Sequence, residues 1–255
     1  MTGSTDRLAG SVVLLTGATG GLGVHIAQRL ASEGARIAVT DLDPEACRAV
    51  VDRLPGGAEQ HTAIGLDVST ESQWSSAVAE VEIRLGPLRA LVNNAALGSL
   101  ATVEDETEEH WQRVVAVGQT GVWLGMKHSG PRIKLNGGGS IVNMCSILGT
   151  VGGLGNSVAY HAAKGAVRTM TKNAALHWAT DGVRVNSLHP GFIATGPLLE
   201  RYEGTERYDA MVAKTPMGRL GRPEEIAAVV AFLVSDDSSF MTGSELYADG
   251  GWTAA

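Results

Sequence analysis

Tyr160 and Lys164 stand four residues apart in a stretch with helical spacing, YHAAK, so their side chains share one helix face. A free phenol has a pKa near ~10 and is a poor proton acceptor at neutral pH. An ammonium beside it stabilises the phenolate and turns the phenol into a usable general acid/base. Alone, a Tyr-x-x-x-Lys pair carries little weight, because most such pairs lie on a solvated helix face. Ser146 adds to it. This serine follows an apolar run 14 residues before Tyr160, where a strand end and a helix could converge on one substrate oxygen. A hydroxyl to orient that oxygen, a phenol to exchange its proton and a lysine to tune the phenol would together move a proton.

A second set of residues points to a phosphate. The run SVVLLT at Ser11 to Thr16 leads into Gly17-Ala18-Thr19-Gly20-Gly21-Leu22-Gly23 and then a helical stretch. Gly17 can make the tight turn, Gly21 lets backbone approach a pyrophosphate, and Gly23 lets the helix pack closely on the strand. The phosphate would sit at a helix N-terminus, against free N–H groups and the positive end of the dipole. The spacing departs from the common G-x-G-x-x-G fingerprint, and a plain turn is a frequent alternative for a glycine cluster. A carboxylate strengthens the nucleotide reading. Asp41 closes the next apolar run, RIAVTD, 18 residues after Gly23. That is near the spacing of ~20 at which an acid accepts the adenosine ribose hydroxyls. Asp41 would repel a 2′-phosphate, and Thr40-Asp41-Leu42-Asp43 offers no Arg or Lys to pair with one. NAD is therefore expected over NADP. The alternative job for Asp41, capping the next helix, falls better to Asp43, which directly precedes Pro44.

The elements that must position these residues follow from the apolar pattern. It predicts strands at Ser11 to Thr16, Arg36 to Thr40, His61 to Asp67, Leu88 to Asn93, Gly139 to Asn143, Val183 to Leu188 and Glu245 to Ala248. It predicts helices at Gly21 to Glu33, Pro44 to Leu54, Glu71 to Leu85, Thr107 to about Arg132, Ser157 to Thr180 and Pro223 to Val234. Continuous apolar strands separated by helix-length crossovers indicate a parallel sheet covered on both faces. Right-handed crossovers make it a doubly wound α/β fold of the Rossmann type, with about seven strands. No linker, repeat or low-complexity tract divides the chain, so residues 1–255 are expected to be one nucleotide-binding and catalytic domain. The segment Gly196 to Gly218 is longer than a usual connection and is the expected mobile piece.

Composition excludes other classes. The chain has 20 Lys+Arg against 27 Asp+Glu, a net charge of -7, which argues against nucleic acid or an anionic membrane held by bulk charge. Hydrophobic residues at 44% and charged residues at 18% exclude wholesale disorder. No apolar run is long enough for a transmembrane helix. The start, MTGSTDRLAG, has no apolar signal core. Cys47 and Cys145 cannot make a disulfide framework, and neither they nor the histidines show metal spacing, so no metal is expected. A reduced cytoplasm is the expected compartment.

In combination the motifs resemble the short-chain dehydrogenase/reductase family. The likeness covers Leu8 to Trp252 and rests on TGATGGLG at Thr16 to Gly23, Asp67-Val68, NNAA at Asn93 to Ala96, Ser146, YHAAK, HPG at His189 to Gly191 and DGG at Asp249 to Gly251. The resemblance implies hydride transfer between C4 of a nicotinamide and a carbinol or carbonyl carbon. It implies that Ser146 positions the substrate oxygen and that Tyr160 is the general acid/base. Lys164 would lower the Tyr160 pKa and bond the nicotinamide ribose. Cofactor-binding residues would be Gly17, Thr19, Gly21, Leu22 and Gly23 of the turn, then Asp41 and Leu42. Asp67 and Val68 would contact adenine, and Asn93, Asn94 and Ala95 would line the cofactor after the fourth strand. Pro190, Gly191, Ile193 and Thr195 would hold the nicotinamide end. The family commonly forms tetramers through its long fourth and fifth helices and its last strand. Here those helices carry Trp111, Trp123 and Trp178, and a homotetramer is expected.

Two positions depart from the family pattern. Ala96 replaces the usual glycine of NNAG, at small cost if its φ is negative. Gly118, in VVAVGQTG, stands where the family places a catalytic Asn that helps hold a relay water near the lysine. Glycine could break the helix there and expose a carbonyl to such a water, but it supplies no amide. With Gln119 and Trp123 nearby, repacking around the glycine is expected, so that an Asn restored at 118 would crowd the helix.

The Gly196 to Gly218 segment is the family's substrate lid. It holds Leu198, Leu199, Tyr202, Tyr208 and Met211, while Gly149 to Gly155 offers no Arg or Lys. A neutral, hydrophobic, cyclic or aromatic secondary alcohol or its ketone is the expected substrate. The alternatives are a 3-oxoacyl carrier-protein reductase or sugar 1-dehydrogenase, and a non-catalytic NAD-binding sensor or scaffold. Cys145, His161 and His189 are expected to pack rather than react.

Overall fold

Val12–Thr16 (β1) is buried at all five of its positions, which requires cover on both faces of the sheet. The computed structural model describes residues 6–98 and 100–255. Residues 1–5, part of the start read above for a signal core, lie outside them. Parallel pairing joins β1 to Arg36–Asp41 (β2) on one side and to Leu88–Asn93 (β4) on the other. Thr62–Gly65 (β3), Gly139–Met144 (β5), Val183–Pro190 (β6) and Glu245–Ala248 (β7) complete seven strands in the order β3-β2-β1-β4-β5-β6-β7. The order reverses between β1 and β4, so a crevice opens at the carboxyl ends of these two strands.

Alternation along β1 feeds two apolar layers. Val13 and Leu15 pack with Ile26 and Leu30 of Gly23–Ser32 (α1) and Val230 and Leu233 of a later helix, Pro223–Val234. Val12 and Leu14 face Trp74 and Val78 of another, Glu71–Leu85, and the helices that follow β4 and β5. Numbered in order after α1, the helices are Pro44–Val51 (α2), Gly57–Gln60 (α3), Glu71–Leu85 (α4), Glu108–Val115 (α5), Gly121–Leu135 (α6), Val158–Trp178 (α7), Gly196–Tyr202 (α8), Glu206–Ala213 (α9) and Pro223–Val234 (α10). Asp43 caps α2, accepting from the Glu45 N–H at 2.9 Å with Pro44 in the first turn, which leaves Asp41 free for other work.

The long helix and Trp178 differ from the sequence expectation, and the short α3 is not among the expected helices. The helix expected from Thr107 to about Arg132 is α5, a π turn at Ala116–Thr120 and α6. Gly118 sits in that turn, where the backbone leaves the regular α ladder. The Gly196 to Gly218 segment, expected to be irregular and partly helical, carries two short helices, α8 and α9. Trp178 is buried in the core rather than offered to a partner, because Gly130 admits its ring; a Cβ on Gly130 would come within 2.2 Å of Trp178. Trp111 and Trp123 remain substantially exposed.

Candidate active site

The crevice widens into a cavity of about 900 Å³. Every residue expected at the cofactor or the chemistry lines it, except Gly23 and Asn93. Gly23 acts from behind the wall. A Cβ there would fall 2.1 Å from the Gly17 carbonyl oxygen, so only glycine lets α1 close against the turn. Gly17 itself has φ +61° and lies against Ala95, a conformation and an approach that a side chain would both resist. Asn93 corrects the expectation for its position. Its buried amide donates to Asn143 at 2.8 Å, tying β4 to β5, and does not reach the cavity. Asn94 does the work at the wall. Its amide donates to the carbonyls of Thr16 at 3.0 Å and Gly17 at 2.9 Å, pinning the end of β4 to the glycine turn.

Asp41 projects from the end of β2 into the same cavity. Its Oδ2 accepts from the Thr19 hydroxyl at 2.5 Å and the Thr19 N–H at 3.1 Å. Its Oδ1 accepts from the Leu42 N–H at 2.8 Å. The carboxylate is thus fixed over the glycine turn. Asp67 and Val68, which follow β3, line the same cavity, as expected for the adenine contacts. The glycine turn and the fixed acid fit a dinucleotide, since a Cβ at Gly17 would strike the neighbouring backbone across the cradle.

Ser146 follows β5, and Tyr160 and Lys164 project from α7. A Cβ on Gly149 would strike Lys164 backbone at 2.8 Å, so the small residue lets the Ser146 turn lie directly on α7. The Ser146 side chain is near enough to the Tyr160 phenol to favour its ionised form, and its oxygen accepts from the Leu148 N–H at 3.1 Å. Lys164 is almost fully buried; its Nζ donates to the Met144 carbonyl at 2.7 Å and lies 5.5 Å from the Tyr160 ring centre. Burial disfavours its ammonium form and lowers its pKa.

The tuning of Tyr160 differs from the expectation. In the protein alone its pKa is pushed up to about 12, first by burial and then by Cys145, against the opposing influence of Ser146. The lysine charge near the ring does not overcome that desolvation.

Around these groups the wall is apolar, with Leu97, Leu100, Ile147, Leu148 and Phe192. From the α8–α9 segment, Leu198, Tyr202 and Met211 face the cavity, whereas Leu199 and Tyr208 do not line it. Sequence reading missed Arg207, which α9 also brings to the wall. Its helical position among charged neighbours gave no signal of that orientation. His189 was also underweighted: fully buried, it bonds the backbone of Ser146.

The chain is similar to one protein family, two characterised relatives and a solved structure. The family described as enoyl-(acyl carrier protein) reductase matches residues 17–253. The NADP-dependent (R)-specific alcohol dehydrogenase of Lentilactobacillus kefiri is 41% identical, covering 98% of this chain and 99% of its own. The cyclohexanol dehydrogenase of Acinetobacter sp. (strain SE19) is 40% identical, covering 98% of both chains. A crystal structure of a short-chain type dehydrogenase/reductase from Mycobacterium marinum is similar with a TM-score of 0.91 at 32% identity, covering 99% of both chains.

Proposed function

The chain belongs to the short-chain dehydrogenase/reductase family, and on that footing we propose that it is an NAD-dependent enzyme interconverting a cyclic secondary alcohol and its ketone. One observation carries the reading. Ser146, Tyr160 and Lys164 share a single cavity wall with the glycine turn and Asp41. When bound, the nicotinamide supplies a hydride acceptor for the carbinol carbon. Ser146 orients the carbinol oxygen. Tyr160 takes the hydroxyl proton as the carbon gives up its hydride, and returns one in the reverse direction. The Lys164 ammonium favours the phenolate form of Tyr160 and is itself held by the Met144 carbonyl. The apolar wall and the α8–α9 lid exclude water and fit a hydrocarbon ring. The cyclohexanol dehydrogenase relative supports the cyclic class.

NAD is favoured over NADP by Asp41. No Arg or Lys stands beside that acid on the wall, whose cations are Lys164, Arg113 and Arg207. The name of the Lentilactobacillus relative points the other way, so the choice rests on the acid. A homotetramer is supported by the exposed Trp111 and Trp123 of α5 and α6; a monodisperse monomer in light scattering would refute it. No helix among the described residues is long and apolar enough to cross a membrane. Cys47 and Cys145 are free and buried, which suits a reducing cytoplasm.

The deciding assay follows reduced-cofactor absorbance with NAD and NADP against cyclic secondary alcohols. Tyr160→Phe should cost at least ~10²-fold in turnover and leave NAD binding intact. Near wild-type turnover in that variant would overturn the mechanism.

A further inference from the structure

The cavity wall is not apolar throughout at its lid side. Arg207 of α9 lines it, with its guanidinium carbon 5.3 Å from the Tyr202 ring centre. Its Nη2 donates to the Asn156 side-chain oxygen at 3.2 Å. Its Nε is shielded from solvent and has no hydrogen-bond partner. Among the described residues no carboxylate pairs with it. The acids on the wall are Asp41 and Asp67, and both belong to the adenosine end. That Nε is closed off from the cavity as well, so a ligand would be met through the Nη atoms, and a guanidinium with no carboxylate partner most strongly favours an anionic oxygen acceptor. Arg113, the other guanidinium on the wall, lies on α5 and is exposed to water, which weakens any pull it exerts.

We propose that Arg207 forms a subsite for a carboxylate carried by the substrate at a position remote from its carbinol. The inference rests on the dehydrogenase reading above and adds one feature to the hydrophobic ring: an anionic end. The ring lies among Leu97, Leu148 and Phe192, the carbinol meets Ser146 and Tyr160, and the carboxylate accepts from Arg207. The Tyr202 ring packs against the guanidinium, 5.3 Å from its carbon to the ring centre. Asn156 occupies one Nη and limits the ways it can turn. Closing α9 over such a substrate would bring the charge to the ligand, so the lid would select for the acid as it shuts.

Two arms test this. The kinetic arm compares 4-hydroxycyclohexanecarboxylate with cyclohexanol. The wild-type enzyme should prefer the acid, and Arg207→Met should lower kcat/KM for the acid by ~10- to 100-fold while changing cyclohexanol by less than ~3-fold. Arg207→Lys should recover part of the loss, and Arg113→Met should leave the preference in place. An equal effect of Arg207→Met on both alcohols would overturn the subsite. The binding arm uses calorimetry of cyclohexanecarboxylate, which has no carbinol to react, with the protein and NADH. Binding should occur in the wild type and weaken by ~10-fold or more in Arg207→Met. Equal affinity in both proteins, or none in the wild type, overturns the subsite. If no alcohol is oxidised by the wild type, the dehydrogenase reading fails, and the binding arm still decides the carboxylate site on its own.

Discussion

The Nδ1 of His189 lies 3.1 Å from the carbonyl oxygen of Ser146. Since that carbonyl can only accept, Nδ1 carries the proton. Nε2 lies 2.9 Å from the Ser187 hydroxyl, which can donate to it. Tyr247 of β7 stacks on the imidazole at 4.6 Å between ring centres. The last strand thus reaches Ser146 through one buried ring. Replacing it by Phe keeps an aromatic body but removes one bond from the Ser146 carbonyl, which keeps the Gly149 N–H at 3.0 Å, and one from the Ser187 hydroxyl, which keeps the Ser244 carbonyl at 3.4 Å. His189→Phe should lose about 1–3 kcal/mol of stability. It should also lower kcat with little change in the KM for NAD, because Ser146 loses one of the two bonds that hold its carbonyl. Steady-state kinetics beside thermal unfolding checks this. A lower Tm with an unchanged kcat would reduce His189 to a packing residue.

On the proposed reading, Asp41 is the residue that selects NAD. Its carboxylate is already oriented by Thr19 and Leu42, so little ordering is needed when ribose hydroxyls arrive. Asp41→Ser should weaken NAD use by roughly 1.5–3 kcal/mol, the range for hydrogen bonds to a charged group, and relax the rejection of NADP. Ratios of kcat/KM for the two cofactors measure this. A wild type that prefers NADP, or an unaltered ratio in the variant, defeats the assignment.

Stability should fall with acid in two stages. His61 is buried with Nδ1 accepting from the Ile37 N–H at 3.1 Å and Nε2 2.8 Å from the Pro55 carbonyl, so the fold holds it neutral. Burial lowers the pKa of both His61 and His189 below the ordinary 6.5. The unfolded chain therefore binds these protons first. Stability from the neutral histidines is full above about pH 6.5 and is lost as pH falls towards their folded pKa values. Glu245 gives the second stage. Burial works to raise its pKa, but bonds from Arg168, Lys172 and Tyr247 win and hold it at about 2, below the ordinary 4.5. Its contribution is full above about pH 4.5 and is lost as pH falls to about 2. Chemical denaturation across pH 8 to 3 should show the first decline beginning near ~6.5. A flat profile from 8 down to 5 would contradict the histidine assignment.

Sequence was most informative where burial on two faces left one solution. The bounds of α4, β4, α10 and β7 agree with the apolar pattern, and the glycine turn, Asp41, Ser146, Tyr160 and Lys164 meet in one cavity. Local pattern fails where a tertiary neighbour decides. Asn93 and Asn94 are adjacent polar residues at a strand end, and alternation alone sends one to Asn143 and the other to the glycine turn. Nothing in the spacing of VVAVGQTG separates a π turn from an α-helix. Arg207 reads as one more charge on an exposed helix until α9 is folded over the cavity. The raised pKa of Tyr160 is likewise invisible in YHAAK, because desolvation is a property of the surrounding protein.

Gly118 is the position where the structure most changes the expectation. It is buried in the π turn, and a Cβ built there meets one atom within 4 Å, the Ala163 Cβ at 3.4 Å. That is an ordinary contact, so the predicted crowding is absent at the Cβ. Ala163 directly precedes Lys164, which places the added side chain beside the helix that carries Tyr160 and Lys164. Two variants separate packing from chemistry. Gly118→Ala fills the Cβ position and removes glycine entropy, and should raise stability by about 0.5–1 kcal/mol with turnover unchanged. Gly118→Asn should fold with a Tm no lower than wild type, and its amide should add a donor and an acceptor near Lys164 and raise kcat. Thermal unfolding and steady-state rates on both variants give the answer. A lower Tm in each would restore the crowding account. A wild-type Tm in both with a reduced kcat in the Asn variant alone would mean that the amide obstructs a proton path the π-turn backbone already serves.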